Sequence, residues 1–147
     1  MPPPPAPHVD DRPHEAAAEL WVELAPDHAL IADVRRRSTE WVARQGYEGP
    51  LDDVGVVLSE LLTNAAEAAD HLDEVHAIGL RVVAAPDRVD IEVANPEGAE
   101  LPPGPPTPPG DVLRERGRGL VIVQAIAARV EFIHERVRHV VRVALEP

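Results

Sequence analysis

Hydrophobic residues recur with two different periods along this chain, and each period predicts a different kind of element. Polar and apolar residues alternate over residues 19–24, which predicts a half-buried strand. After Asp27, a good N-cap, apolar residues follow a helical spacing as far as about Gln45, where Gly46 is the expected stop. A second helix is predicted from residues 52–53 to about residues 70–71, because the paired carboxylates at its start suit the positive end of the helix dipole.

The second half of the chain predicts a hairpin, a long loop, a helix and a closing hairpin. Residues 75–84 and 88–94 have the composition of strands and are joined by a short polar turn. Residues 95–110 contain seven prolines and form no regular element, so we interpret residues 95–116 as a lid. An apolar helix is expected at residues 120–128, entered through Gly117-Arg118-Gly119, and it is followed by predicted strands at residues 130–133 and 139–145.

Composition limits the chain to one domain and argues against several classes of protein. A proline-rich tail, predicted to be disordered, occupies residues 1–15, and residues 16–147 suffice for one domain with its own core. The net charge of −12 argues against a nucleic-acid binder, which normally presents a basic face to phosphates. The chain has no cysteine and no long apolar run, so we expect no disulfide, no thiolate metal site and no membrane span, and a cytoplasmic location.

The motif with the most chemistry is Ser59-Glu60-Leu61-Leu62-Thr63-Asn64-Ala65, in the second predicted helix. Glu60 and Asn64 are four residues apart, so both side chains project from one face of that helix. A carboxylate and a carboxamide in this arrangement can serve a metal ion and a phosphate together. The alternative is that both residues belong only to the solvated face of an amphipathic helix.

With its motifs in this order, the chain resembles the GHKL ATPases, and among them the anti-sigma regulatory factors, serine/threonine kinases of the RsbW and SpoIIAB type. The motif around Glu60 and Asn64 resembles the N box of that family, and Gly117-Arg118-Gly119-Leu120 resembles its second glycine box. The resemblance extends over residues 19–145. It implies an α+β fold, a two-layer α/β sandwich of the Bergerat type, with a mixed, mainly antiparallel sheet and helices on one face.

The resemblance also implies that ATP and Mg²⁺ are cofactors, and it gives roles to individual residues. Asn64 would ligate Mg²⁺ through its side-chain oxygen, and Glu60 would be the general base near the γ-phosphate. Asn95 occupies the position that receives the adenine amino group. The expected nucleotide-binding set is completed by Gly98, Gly117, Arg118, Gly119 and Leu120. The sequence leaves open whether Arg118 pairs with a phosphate or is only solvated.

Two departures from the family pattern concern nucleotide binding. Asn95 replaces the usual Asp, so a charge-assisted hydrogen bond of ~1.5–3 kcal/mol is exchanged for a neutral one of ~0.5–1.5 kcal/mol. Glu67 and Ala68 stand where many relatives have a basic residue followed by His, so positive charge beside the phosphates is lost. Both changes predict weaker nucleotide binding.

The sequence therefore leaves two functions of different classes open. The first is an ATP-binding anti-sigma factor with serine/threonine kinase activity toward an antagonist protein. The second is a protein-binding module of the same fold that binds nucleotide weakly or not at all and sequesters a sigma factor or another regulator. A stand-alone histidine-kinase-like ATPase domain ranks lower, because no phosphoacceptor-histidine helix precedes the domain. We expect sigma factor and antagonist as partners and no contact with nucleic acid or membrane, while a homodimer is left open.

Overall fold

The structure, a computed structural model, describes residues 17–69, 77–95, 114–134 and 139–147, without the side chains of residues 114–119 and 134. These ranges contain five strands and three helices. In chain order they are β1 (Ala18–Leu24), α1 (His28–Arg44), α2 (Leu51–Ala69), β2 (Ile78–Ala85), β3 (Arg88–Ala94), α3 (Arg114–Ile126), β4 (Arg129–His134) and β5 (His139–Leu145).

The five described strands form one sheet in the order β1-β2-β3-β5-β4. Each of its four ladders is antiparallel, so the described strands contain no parallel pair of the kind that a mixed sheet would add. The sheet has one face buried against the helices and one polar face, as the alternating burial of β2 and β3 shows. This arrangement confirms the predicted α+β class and the two-layer sandwich.

The ends of α1 follow from the residues that flank it. The side chain of Asp27 accepts hydrogen bonds from the backbone N–H groups of Ala29 and Leu30 at 2.8 and 3.1 Å, which satisfies two donors that the first turn leaves unpaired. Gly46 has φ of +81°, the left-handed conformation that ends a helix at little cost when the residue has no Cβ. Both capping predictions are confirmed.

The hydrophobic core lies between α2 and the sheet. The apolar stripe of α2 is fully buried, and its largest side chains are those of Val54, Val57, Leu58, Leu61 and Leu62. On the sheet side the stripe meets inward-facing residues of β2, β3 and β5, including Leu80, Ile91 and Val143. Each fully buried Val or Leu contributes about 1.5–3 kcal/mol, so this interface is the main source of stability for the domain.

Four charged side chains, with a tryptophan at one end, form a row across the face of the sheet opposite the described helices, which we call the helix-free face. The ladders place Trp21, Arg81, Glu92, Arg142 and Glu131 side by side on five adjacent strands. Arg81 donates to Glu92 at 2.7 Å, and Arg142 donates to it through two nitrogens at 2.8 and 2.6 Å. At the edge, the guanidinium of Arg81 lies 5.3 Å from the ring centre of Trp21, within cation–π range. Glu92 is therefore the carboxylate that ties the three middle strands together.

Some predicted boundaries differ from those in the structure. The third helix begins at Arg114, so Gly117 and Gly119 lie inside it and not ahead of it, and it ends at Ile126. The early start is explained by Arg114-Glu115-Arg116, three good helix formers that offset the cost of about 1 kcal/mol for each glycine. The tail at residues 1–15, the first residues of the strand predicted from residue 75, and residues 96–113 of the predicted lid lie outside the described residues.

The charged row leads to a prediction about Glu92. Burial acts to raise the pKa of Glu92, but the hydrogen bonds from Arg81 and Arg142 outweigh it and hold that pKa below its ordinary value. A lowered pKa means that ionised Glu92 stabilises the fold, fully above the unfolded-state pKa of about 4.3 and decreasingly as pH falls through the folded-state pKa. We expect Glu92→Gln to lower the free energy of unfolding by about 1–3 kcal/mol at pH 7, as measured by urea denaturation.

The control for this variant is Glu40→Gln, because Glu40 forms only an exposed 3.7 Å ion pair with Arg36. That change should alter the free energy of unfolding by less than about 0.5 kcal/mol. The difference between wild type and Glu92→Gln should shrink below about pH 4. Equal stability of the Glu92 and Glu40 variants at pH 7 would show that the charged row contributes nothing to the fold.

Candidate functional site

The polar face of α2 holds the candidate chemistry. Glu60, Asn64 and Glu67 are spaced at i, i+4 and i+7, so they lie along one stripe of the helix and are all partly exposed. The residues between them, including Leu61, Leu62 and Ala65, are buried in the core. Packing of the apolar stripe therefore fixes the direction of the polar stripe, which confirms the predicted division of this helix into two faces.

Glu60 has a perturbed electrostatic environment. Partial burial raises the pKa of Glu60 above its ordinary value, and the negative charge of Glu67 raises it further. A carboxylate with a raised pKa is a stronger base than a fully solvated one. This effect of Glu67 was not predicted from the sequence, although Glu67 lies about two helical turns from Glu60 on the same stripe of α2.

The course of α2 brings its C-terminal half toward the end of β3. Just before the helix begins, the backbone N–H of Glu48 donates to the carbonyl of Pro86 in the β2–β3 turn at 2.9 Å. From Val54 to Ala69 the helix keeps one side buried, so it lies on the sheet along its length. At a rise of about 1.5 Å per helical residue, Asn64 is about 20 Å along α2 from Leu51, and at about 3.3 Å per strand residue, Asn95 is about 23 Å along the strand direction from Arg88. Both carboxamides therefore lie at the same end of the domain.

Asn95 follows directly after β3 and points to the helix side of the sheet. It continues the alternation in which Val89, Ile91 and Val93 face the core. Its backbone N–H donates to the carbonyl of His139 at 2.8 Å, which extends the β3–β5 ladder by one residue. The side chain is only 4% exposed, and its Nδ2 has no hydrogen-bond partner among the described residues. A buried, unpaired donor costs about 1–3 kcal/mol, and a ligand that accepts a hydrogen bond from Nδ2 would offset this cost.

The second glycine motif lies in the first two turns of α3, which packs against α2 and β4. From the sequence we expected a helix start at Leu120, with free backbone N–H groups there. Because Gly117 and Gly119 lie within α3, which begins at Arg114, this expectation is wrong. Leu120 is 2% exposed and belongs to the core, so it anchors α3 beside α2. The side chain of Arg118 and all of Gly98 lie outside what the structure describes.

Grooves elsewhere on the surface contain none of the predicted site residues. One lies on the helix-free face between Trp21, Gly79 and Val140, and another lies between α1 and α2 around Arg35 and Gly55. Within the described ranges no group of three or more His, Asp or Glu side chains is suited to hold a metal ion. Asn64 fits a Mg²⁺ ion that takes its other oxygens from phosphates and water, since magnesium is usually held by one or two protein ligands.

None of the described helices combines the length and apolarity needed to span a membrane.

The chain was compared with known protein families and with curated proteins. Residues 24–145 match the family described as histidine kinase-like ATPase domain, a range that includes every residue predicted for the site. No curated protein sequence matches the chain. The family match covers most of the sequence and agrees with the α+β architecture of five antiparallel strands and three helices in the described residues. The chain therefore belongs to the histidine kinase-like ATPase domain family, within the GHKL superfamily of ATP-binding domains.

Proposed function

We propose that this chain is a cytoplasmic anti-sigma regulatory factor with serine/threonine kinase activity, which binds a sigma factor and phosphorylates an antagonist of that binding. The proposal depends on one observation. Glu60, whose pKa is raised by burial and by Glu67, lies on the same stripe of α2 as Asn64, one turn away. A base and a metal ligand at this spacing suit the transfer of a phosphoryl group to a hydroxyl.

Each residue has a separate task in this proposal. Asn64 holds Mg²⁺ through its side-chain oxygen, and Asn95 contacts the adenine base. Glu60 accepts the proton of the attacking Ser or Thr hydroxyl, which makes that oxygen the better nucleophile. When bound, Mg²⁺-ATP would supply the phosphoryl group and leave as ADP, and Mg²⁺ would neutralise the negative charge that develops during transfer.

The second candidate function is a sigma-factor-binding module without catalysis. It is favoured by Asn95 in the adenine position and by Glu67, whose negative charge lies on the stripe that would face the phosphates. Ala68 is 1% exposed and packs in the core, so this position presents no charge to a nucleotide. The two functions are separated by incubating the purified chain with labelled ATP and any co-encoded antagonist protein. Absence of transfer, together with retained sigma-factor binding, would leave only the binding module.

The first variant for the kinase is Glu60→Gln. It keeps the shape and hydrogen-bonding capacity of the side chain but removes the proton acceptor, so phosphoryl transfer should fall by ~10²–10⁴-fold. ATP affinity, measured by calorimetry, should change little or increase slightly, because a negative charge near the phosphates is removed. A transfer rate within a few-fold of wild type would show that Glu60 is not the base.

Glu67→Gln is the matched control, because it makes the same change of charge on the same stripe of α2. This variant should retain transfer. Since Glu67 helps to raise the pKa of Glu60, its neutralisation should lower that pKa. Transfer requires ionised Glu60, so the acid limb of the pH–rate profile should move to lower pH in this variant. A limb that stays in place would mean that the profile reports a different group.

A further prediction concerns Asn64. Asn64→Ala should abolish the Mg²⁺-dependent part of ATP binding, measured by calorimetry with Mg²⁺ and with EDTA. The melting temperature should be unchanged or slightly higher, because Asn64 is partly exposed in mid-helix and Ala is the better helix former. Asn64→Asp retains an oxygen ligand and should restore the Mg²⁺ dependence. A fall in melting temperature without any effect on Mg²⁺ dependence would make Asn64 a structural residue.

A further inference from the structure

The buried Nδ2 of Asn95 has no hydrogen-bond partner among the described residues, although the side chain is 96% enclosed. In the proposed function this residue contacts the adenine base in the position where the family has Asp. The two side chains differ in more than charge. A carboxylate has only acceptors, whereas a carboxamide has an acceptor, Oδ1, and a donor, Nδ2, side by side.

The purine bases have matching pairs of groups on the edge that includes N1 and the substituent at C6. Adenine has a donor at N6 and an acceptor at N1. Hypoxanthine and guanine have the opposite arrangement, an acceptor at O6 and a donor at N1. A carboxamide can form two hydrogen bonds with either arrangement, because a half-turn about its last torsion exchanges Oδ1 and Nδ2. A carboxylate at this position accepts from N6 of adenine or from N1 of hypoxanthine, but it has no donor for N1 of adenine or for O6, so it forms only one of the two hydrogen bonds with either base.

We propose that Asn95 reads the purine edge through both Oδ1 and Nδ2, and that the site therefore accepts 6-oxopurine nucleoside triphosphates as well as ATP. This inference rests on the proposed function, because it requires Asn95 to contact the base of a bound nucleotide. It explains the unpaired Nδ2 as a donor that is satisfied only when a nucleotide is bound.

The test is calorimetry on the full chain with Mg²⁺ and three probes: ATP, inosine triphosphate and inorganic tripolyphosphate. Inosine triphosphate differs from ATP only on the edge that includes C6 and N1, and tripolyphosphate measures the contribution of the phosphates without a base. In the wild-type chain the dissociation constants of ATP and inosine triphosphate should agree within about 10-fold, and both nucleotides should bind more tightly than tripolyphosphate.

Asn95→Leu removes both Oδ1 and Nδ2 with little change of side-chain volume, so ATP and inosine triphosphate should each lose about 10-fold or more in affinity, through the loss of two hydrogen bonds. Binding of tripolyphosphate should not change, because Asn95 contacts the base and not the phosphates. Gln45→Leu is the matched control, since it removes a carboxamide at the C-terminal end of α1, three residues before the Glu48 N–H that bonds to the β2–β3 turn. Its three dissociation constants should equal those of wild type.

If circular dichroism shows that the Leu variant is unfolded, Asn95→Ala replaces it, and ATP and inosine triphosphate should again lose affinity by the same factor. In the wild-type chain, tight binding of ATP together with inosine triphosphate binding only as well as tripolyphosphate would overturn the inference and leave the kinase proposal intact. Unchanged affinity for inosine triphosphate in a folded Asn95→Leu variant would also overturn it. If neither nucleotide binds more tightly than tripolyphosphate, both proposals fail.

Discussion

The structure depends on the burial of one side of α2 against the sheet. This helix is apolar on the side that meets β2, β3 and β5 and polar on the other, so it has only one stable orientation about its own axis. The orientation of Glu60 and Asn64 is a consequence of that packing and not of any contact that they make with each other. A site built on a helix held in this way is rigid before any ligand arrives, which lowers the entropic cost of binding.

The second polar group of the candidate site, Asn95 at the far end of β3, owes its orientation to strand geometry. Side chains alternate between the two faces of a strand, so the residue after Val93 and Ala94 must return to the helix side. The sheet thus delivers one carboxamide and the helix another to the same end of the domain, although they are 31 positions apart in the sequence. Local sequence sets the direction of each group, and the antiparallel ladders and the Glu48–Pro86 hydrogen bond set their relative position.

Much of this could be predicted from the sequence, because the strongest local signals act within a few residues. Asp27 and Gly46 mark the ends of α1, and the apolar spacing from Val54 to Ala69 defines the buried side of α2. The predicted start of α3 was too late. Gly117 and Gly119 suggested a helix entry, but the high helix propensity of Arg114, Glu115 and Arg116 extends the helix ahead of them. Two other features depend on contacts between distant segments that no local pattern specifies. These are the effect of burial on Glu60 and the row of charges centred on Glu92.

The strand order leaves β1 and β4 at the two edges of the described sheet. An edge strand exposes unpaired backbone groups that can add a strand from another molecule, which is a common start of aggregation. Here β1 carries Glu19 and Glu23 and β4 carries Glu131, so two approaching edges of the same kind bring carboxylates together. That protection relies on ionised carboxylates and weakens as the solution approaches the isoelectric point of about 4.9. Near neutral pH the ionised carboxylates of β1 and β4 therefore oppose strand addition between copies of this chain at the edges of the described sheet.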